Sequence, residues 1–287
     1  MTNDSVNAPY YEVNRARWDE SVAIHAASEG YDLAGFRRGE KTLYQVEMDE
    51  VGDVAGKSLL HLQCHFGMDT LNWARLGARV TGLDFSGAAV ERARELAREI
   101  GIDDAGFVQA NVYDAADVIH EQFDVVYTGI GALCWLPDIR RWAGVVAKLL
   151  KPGGFLYVYE GHPMMWTLDE DREDHELVSR SPYFETERPT EWTEENTYVD
   201  GPPLKNVKSY DWNHGLGEIV TALIDSGLRL EFLHEHREVA WQAVPWMVRT
   251  DGDAGAKGYA RRTAWQLPAE QRDLCPLMYS LKATRPA

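Results

Sequence analysis

Between Lys57 and Glu160, short apolar runs alternate with amphipathic stretches, and that alternation constrains the fold more than any other feature of the chain. Stretches of about ten to fifteen residues between strands are long enough for a crossover helix, so the pattern predicts βα units on a parallel sheet. Strands are expected at Ser58 to Leu62, Arg79 to Asp84, Gly106 to Ala110, Phe123 to Thr128 and Phe155 to Glu160. Helices fill the gaps at Gly67 to Leu76, Gly87 to Ile100 and Asp138 to Leu150, with Ser86 as an N-cap and Pro152-Gly153-Gly154 as a stop. A helix at Leu216 to Ser226, apolar at Leu216, Ile219, Val220, Leu223 and Ile224, and strands at Leu228 to His236 and Leu277 to Thr284 complete the set.

The ends of these strands carry the candidate chemistry. The first runs into His61-Leu-Gln63-Cys-His65-Phe66-Gly67, then Asp69 and Thr70, and a helix follows at once. A strand, a tight turn and a helix N-terminus form the place where an α/β sheet receives a nucleotide-like ligand, because free backbone N–H groups converge there. Only Gly67 remains of a glycine-rich turn, so a dinucleotide fingerprint is absent and a nicotinamide-dependent oxidoreductase is disfavoured. The second strand ends on Asp84, followed by Phe85 and Ser86; a carboxylate there suits a ribose diol, or caps the next helix. The third ends in Asn111-Val112, an amide beside a backbone N–H that suits an adenine edge and is also a common turn residue. The fourth leads into Thr128-Gly129-Ile-Gly131-Ala-Leu133, where small residues let backbone approach a ligand.

Taken in order, these landmarks resemble the class I S-adenosylmethionine-dependent methyltransferases over roughly Asp49 to Glu160. The form His61-Leu-Gln-Cys-His65-Phe-Gly is similar to that of a bacterial small-molecule subgroup. The resemblance implies a Rossmann-like, seven-stranded, mostly parallel α/β sheet with an antiparallel last strand and an insertion after the fifth strand. It implies S-adenosylmethionine as cofactor, with Gln63, His65, Phe66 and Gly67 lining its methionyl part, Asp84 its ribose, Asn111 and Val112 its adenine, and Phe85 also in the cofactor site. Thr128, Gly129 and Leu133 pass beside the sulfonium, and the N-terminal Tyr11, Trp18 and Tyr31 are lid candidates. The family commonly has an acid at the position of His61 and glycines at those of Gln63 and His65. A noncatalytic cofactor-binding or regulatory protein on the same scaffold is the alternative.

Composition bounds the partners. The chain has 287 residues, 45% of them hydrophobic, with 29 basic against 46 acidic side chains for a net charge of −17, which disfavours nucleic acid and anionic membrane surfaces. No apolar run approaches the roughly 18 residues of a membrane span, and Met1 to Tyr10 lack a signal-peptide core, so a cytoplasmic location is expected. Cys64, Cys134 and Cys275 are far apart and read as free thiols, and no metal site is expected.

The rest of the chain is where an acceptor would be chosen. The expected organisation is a helical cap over 1–50 and one domain over 51–287, with an insertion over 161–214 and a late loop over 239–275. From Asp169 to Asp200 twelve acids face three arginines, so more than half of the net charge sits in that stretch. Six of the ten tryptophans follow Met165. Trp135, Trp166, Trp192, Trp212, Trp241 and Trp246, with Tyr210, are candidate walls for a small apolar or aromatic acceptor, since aromatic rings also hold a cation. His162, after the fifth strand, His214, before the late helix, and Tyr210 are the candidate general bases for a hydroxyl or amine acceptor, while an acceptor that is already a nucleophile needs none. The oligomeric state is left open.

Overall fold

The computed structural model describes residues 3–250 and 264–287; the remainder of the late loop, residues 251–263, lies outside the described residues. In chain order the elements are α1 (Asn3–Ala27), α2 (Leu33–Arg37), α3 (Gln45–Val51), β1 (Ser58–Leu62), α4 (Met68–Arg75), β2 (Arg79–Asp84), α5 (Gly87–Glu99), β3 (Gly106–Gln109), α6 (Ala115–Val118), β4 (Phe123–Thr128) and α7 (Ile139–Leu149). Then come β5 (Leu150–Gly161), β6 (Thr190–Thr193), β7 (Lys208–Asp211), α8 (Leu216–Asp225), β8 (Arg229–His236), β9 (Glu238–Val239), β10 (Val248–Thr250), β11 (Ala264–Gln266) and β12 (Met278–Thr284).

Seven strands form the main sheet in the order β3-β2-β1-β4-β5-β12-β8. The first five pair in parallel, and β12 runs antiparallel to both β5 and β8. This is the expected α/β class with its antiparallel last strand. All five residues of β1 are buried, as a central strand covered on both faces must be. On one face α7 and α8 seat Trp142, Val146, Ile219 and Leu223 against Leu60, Val126 and Leu281; full burial of a side chain such as Trp142 contributes about 3 kcal/mol. On the other, Trp73, Tyr127, Tyr157 and Tyr159 pack with α3 and the late loop.

The caps follow the sequence. Ser86 Oγ accepts the Ala89 N–H at 3.0 Å to start α5, and Asp138 Oδ1 accepts the Arg141 N–H at 2.9 Å to start α7. Pro152-Gly-Gly does not separate helix from strand. The strand begins at Leu150 and carries the tripeptide within it, at a point where the β4–β5 register shifts. Gly154 is needed there because a Cβ would stand 2.8 Å from the Phe123 carbonyl oxygen. Asp124, from the Phe-Asp-Val-Val landmark, works at the far end of the sheet. Burial pushes its carboxyl up, yet Lys151 and Ser58, donating at 2.8 to 2.9 Å, hold it at about 2.

Two regions depart from expectation. The N-terminal cap opens with a single 25-residue helix, longer than the short helices its charged and apolar alternation suggests, before a break near Gly30 and the short α2 and α3. The insertion folds a hairpin, with β6 and β7 antiparallel, out of a stretch with no strand alternation.

Candidate functional site

The turn after β1 keeps a glycine-type backbone where glycine is absent. Gln63, His65 and Gly67 have φ of 58°, 50° and 80°, all left-handed. For a residue with a Cβ that conformation costs about 1 kcal/mol, so something must hold Gln63 and His65. Gln63 Nε2 donates to the Ala132 carbonyl at 2.7 Å, tying the turn to the loop after β4. The His65 N–H donates to Asp84 Oδ2 at 2.8 Å, and its ring is enclosed by Trp18, His25, Tyr31 and Phe66. Gly67 is fixed by packing as well, since a Cβ would stand 2.7 Å from the Phe107 ring.

Asp84 sits across from this turn at the end of β2. Burial raises its carboxyl to about 6; the N–H groups of Ser86 and His65, and more weakly that of Phe85, pull against that rise, and the Asp19 charge adds to it. Ser86 and His65 bond one oxygen each, and a carboxylate oxygen accepts two, so acceptor capacity is left over. Phe85 is half-buried beside it. Thr128, at the end of β4 and in register with Leu62 of β1, is fully buried, and its Oγ1 has no partner among the described residues. Gln63 Oε1 is likewise buried and unpartnered. Unspent buried polar atoms at two neighbouring strand ends are what a polar ligand would satisfy.

His61, where the resembling family has an acid, is buried with Nδ1 2.8 Å from Thr70 Oγ1 and its ring against Tyr127. Burial lowers it to about 4, so it is neutral. Asn111 spends its Oδ1 on the Tyr113 N–H at 3.1 Å, shaping the turn after β3, and the Val112 side chain is in the core. Gly129 lies beside Tyr127 and His61, and Leu133 is buried in the loop that follows. Above this edge runs α1: Tyr11 approaches Tyr113, ring centroids 6.2 Å apart, and Trp18 stands edge-on between His65 and Trp135 at 5.2 and 5.4 Å. Tyr31 stacks on His25.

The acceptor-side candidates divide. A small cavity at the ends of β5 and β12 is lined by Leu133, Glu160, Trp166, Trp212, His214 and Tyr279. The Tyr279 hydroxyl there is buried without a partner among the described residues. Trp241 stacks on Trp166, one ring outside the cavity. Trp246 is packed elsewhere, against His175 and with Nε1 donating to Gln271. Tyr210 packs on Tyr10, its hydroxyl on Glu191, and Trp192 donates to Asp211.

Both histidines proposed as bases are engaged at both nitrogens. His162 Nδ1 accepts the Met164 N–H at 3.0 Å, so its proton is on Nε2, 3.0 Å from Glu235 Oε1. Burial lowers the affinity of His162 for a second proton, against the pull of Glu235. His214 donates from Nε2 to the Leu136 carbonyl at 2.6 Å, and its Nδ1 is 2.8 Å from Glu218.

Sequence reasoning missed Glu160. Buried at the end of β5, it accepts the N–H groups of Gly131, Ala132, Leu133 and Gly161 at 2.6 to 3.2 Å and thereby shapes the loop that carries Leu133. An acid closing the apolar and aromatic run Phe155 to Tyr159 was the available signal. His25 reads from the sequence as a lid candidate, but its hydrogen bond to His65 at 2.9 Å was not foreseen, because nothing local pairs residues forty positions apart. Among the described residues no cluster of three or more His, Cys, Asp or Glu is arranged to hold a metal ion, and no helix is long and apolar enough to cross a membrane.

Comparison with known proteins gives a family match, a curated relative and two solved structures. Residues 60–156 match the methyltransferase domain family. A ubiquinone biosynthesis O-methyltransferase from Erwinia tasmaniensis is 33% identical over 155 residues, 53% of this chain and 62% of that protein, so the chain spans less than two thirds of that relative's length. Among solved structures, a chain assigned as an S-adenosylmethionine dependent methyltransferase from Listeria monocytogenes superposes with a TM-score of 0.58 at 18% identity, covering 84% of this chain and 97% of that one. Another, from Mesorhizobium loti, gives 0.50 at 24% identity, covering 82% and 93%. At such identities the shared property is the fold.

Proposed function

We propose that this chain, whose residues 60–156 match the methyltransferase domain family, transfers a methyl group from S-adenosylmethionine to a small acceptor with an apolar or aromatic body. The carrying observation is the set of unspent polar atoms around the β1 turn: the remaining lone pairs of Asp84, and the buried Gln63 Oε1 and Thr128 Oγ1. They match the polar groups of such a cofactor in kind, a diol at Asp84 and an amino acid at Gln63 and Thr128. Asn111 and Val112 at the next strand end are the adenine neighbours in this reading. When bound, S-adenosylmethionine supplies an electrophilic methyl on a sulfonium.

What the protein does is position and dry. Trp18, Trp135 and Tyr11 cover the edge and keep water from an in-line displacement. Aromatic faces favour the cationic sulfur by about 0.5 to 2 kcal/mol each. The cavity with Trp166 and Trp212, about 20 Å³ in this structure, marks the place of the acceptor and has to widen to take its body, with the Tyr279 hydroxyl, which has no partner among the described residues, there to hold its oxygen. His162 and His214, tied at both nitrogens, hold the walls of that pocket in this reading. An oxygen acceptor is favoured by the named activity of the Erwinia tasmaniensis relative, an O-methyltransferase.

Calorimetry with S-adenosylmethionine and S-adenosylhomocysteine tests the cofactor, with binding of both expected. A panel of phenols and catechols followed for a one-methyl mass gain tests the reaction. Absence of heat with either compound at millimolar concentration would overturn the reading; binding without methyl gain on any acceptor would favour a noncatalytic role.

A further inference from the structure

The inference below rests on the cofactor reading just given and concerns what α1 does besides covering the edge. Tyr11, Trp18 and His25 recur every seven residues and form one stripe, which faces the turn after β1 and the loops after β3 and β4. A neighbouring stripe, Tyr10, Asn14 and Arg17, faces the β6–β7 hairpin of the insertion.

Arg17 is only 7% exposed. Its Nη1 donates to the carbonyls of Glu194, Asn206 and Val207 at 2.8, 3.2 and 3.1 Å, and Nη2 to that of Asn196 at 2.8 Å. The Glu194 carboxylate is farther, at 3.4 Å, and largely exposed. A buried cation held mainly by four carbonyl dipoles from both sides of a hairpin is a costly arrangement that fixes the hairpin's shape. Asn14 pairs with the Tyr210 backbone as a strand neighbour would, donating and accepting at 2.8 Å, and Glu20 accepts the N–H groups of Lys205 and Asn206 at 2.9 Å. Just past β7, the Trp212 N–H donates to the Cys134 carbonyl at 2.9 Å, and Trp212, Asn213 and His214 line the cavity. The cover of the cofactor edge and one wall of the acceptor cavity are therefore joined into one body by residues of a single helix.

We propose that Arg17 is a positioning residue that carries the closure of α1 over the cofactor to the β6–β7 hairpin, so that the acceptor pocket is completed only when the cofactor is in place. Binding is then ordered, cofactor first, and the hairpin responds to a ligand that none of its residues needs to touch.

Hydrogen exchange of the full chain with and without S-adenosylhomocysteine tests this. In the unaltered protein the compound slows exchange about tenfold in peptides from 11–25, from 60–67 and from 190–212. In Arg17→Gln the slowing persists at 60–67 and is lost at 190–212. A merely structural arginine would raise exchange at 190–212 equally with and without the compound, leaving their ratio unchanged, and that result overturns the proposal. So does an unaltered protein that binds the compound by calorimetry yet shows no slowing at 190–212. Should Arg17→Gln fail to protect its sheet peptides, Asn14→Ala, which removes the pair on Tyr210, replaces it, with the same loss of ratio expected in part and an unchanged ratio overturning the coupling. If calorimetry detects no binding by the unaltered chain, the cofactor reading itself fails and the coupling falls with it.

Discussion

Asp84 and Glu160 end two strands of one sheet, are equally buried, and are both pushed up by that burial, yet their oxygens are used differently. Glu160 accepts four backbone N–H groups and shapes a loop. Asp84 accepts those of His65 and Ser86 at 2.8 and 2.9 Å, with the Phe85 N–H also acting on it, and keeps more of its capacity in hand. A carboxylate wholly committed to backbone is part of the scaffold, whereas one partly committed is held in place for something else. Burial alone does not separate them; the count of donors does.

The largest effect expected from breaking this contrast is at Glu160. Glu160→Ala leaves four N–H groups facing an apolar pocket, and unfolding in urea should show a loss of about 3 to 5 kcal/mol. Asp84→Asn should cost far less stability, because one amide oxygen still accepts, and should weaken S-adenosylhomocysteine binding by about tenfold to a hundredfold in calorimetry. If the two variants exchange these outcomes, the assignment of scaffold and ligand carboxylates is reversed.

The contrast also has a pH signature. Asp84 is raised from its ordinary 3.8 to about 6 by burial, so the folded chain takes up that proton more readily than the unfolded chain. Its contribution to stability is complete below pH 3.8 and is lost as pH rises through about 6. Ligand affinity runs the opposite way. A diol donates to the ionised form, so affinity should climb through the same window, and the Asp84→Asn profile should be flat. Asp19 adds to the rise of Asp84 and is bonded to Ser86 at 2.6 Å, so Asp19→Asn should move the midpoint to lower pH.

The sheet was legible because its signals are local. The apolar runs, Ser86 and Asp138 each act within a few residues of themselves, and each element appears within a residue or two of expectation, apart from the early start of β5. The cap was legible as helical, but its anchoring was not, because its partners are distant: Arg17 meets Asn206 at a separation of 189 residues, and His25 meets Thr197 at 172. Polar residues buried on two faces also hide α1 from any test of amphipathic spacing. Trp246 illustrates the limit of composition, since it shares a residue type with Trp212 yet packs against His175.

The smallest expected stability change is at the turn that Asp84 faces. Gln63 has φ of 58°, and replacing it by glycine relieves about 1 kcal/mol of left-handed strain. The same change removes the bond to the Ala132 carbonyl, at about 1 kcal/mol, and loosens the unfolded chain by about 0.5 to 1 kcal/mol. Gln63→Gly should therefore shift the urea midpoint only slightly, toward lower stability, while S-adenosylhomocysteine affinity falls because the unspent Oε1 goes with the side chain. A stability loss of several kcal/mol would mean that the side chain, rather than the strand pairing on either side, holds the turn. Unchanged affinity would take Gln63 out of the ligand's surroundings and leave Asp84 and Thr128 to define them.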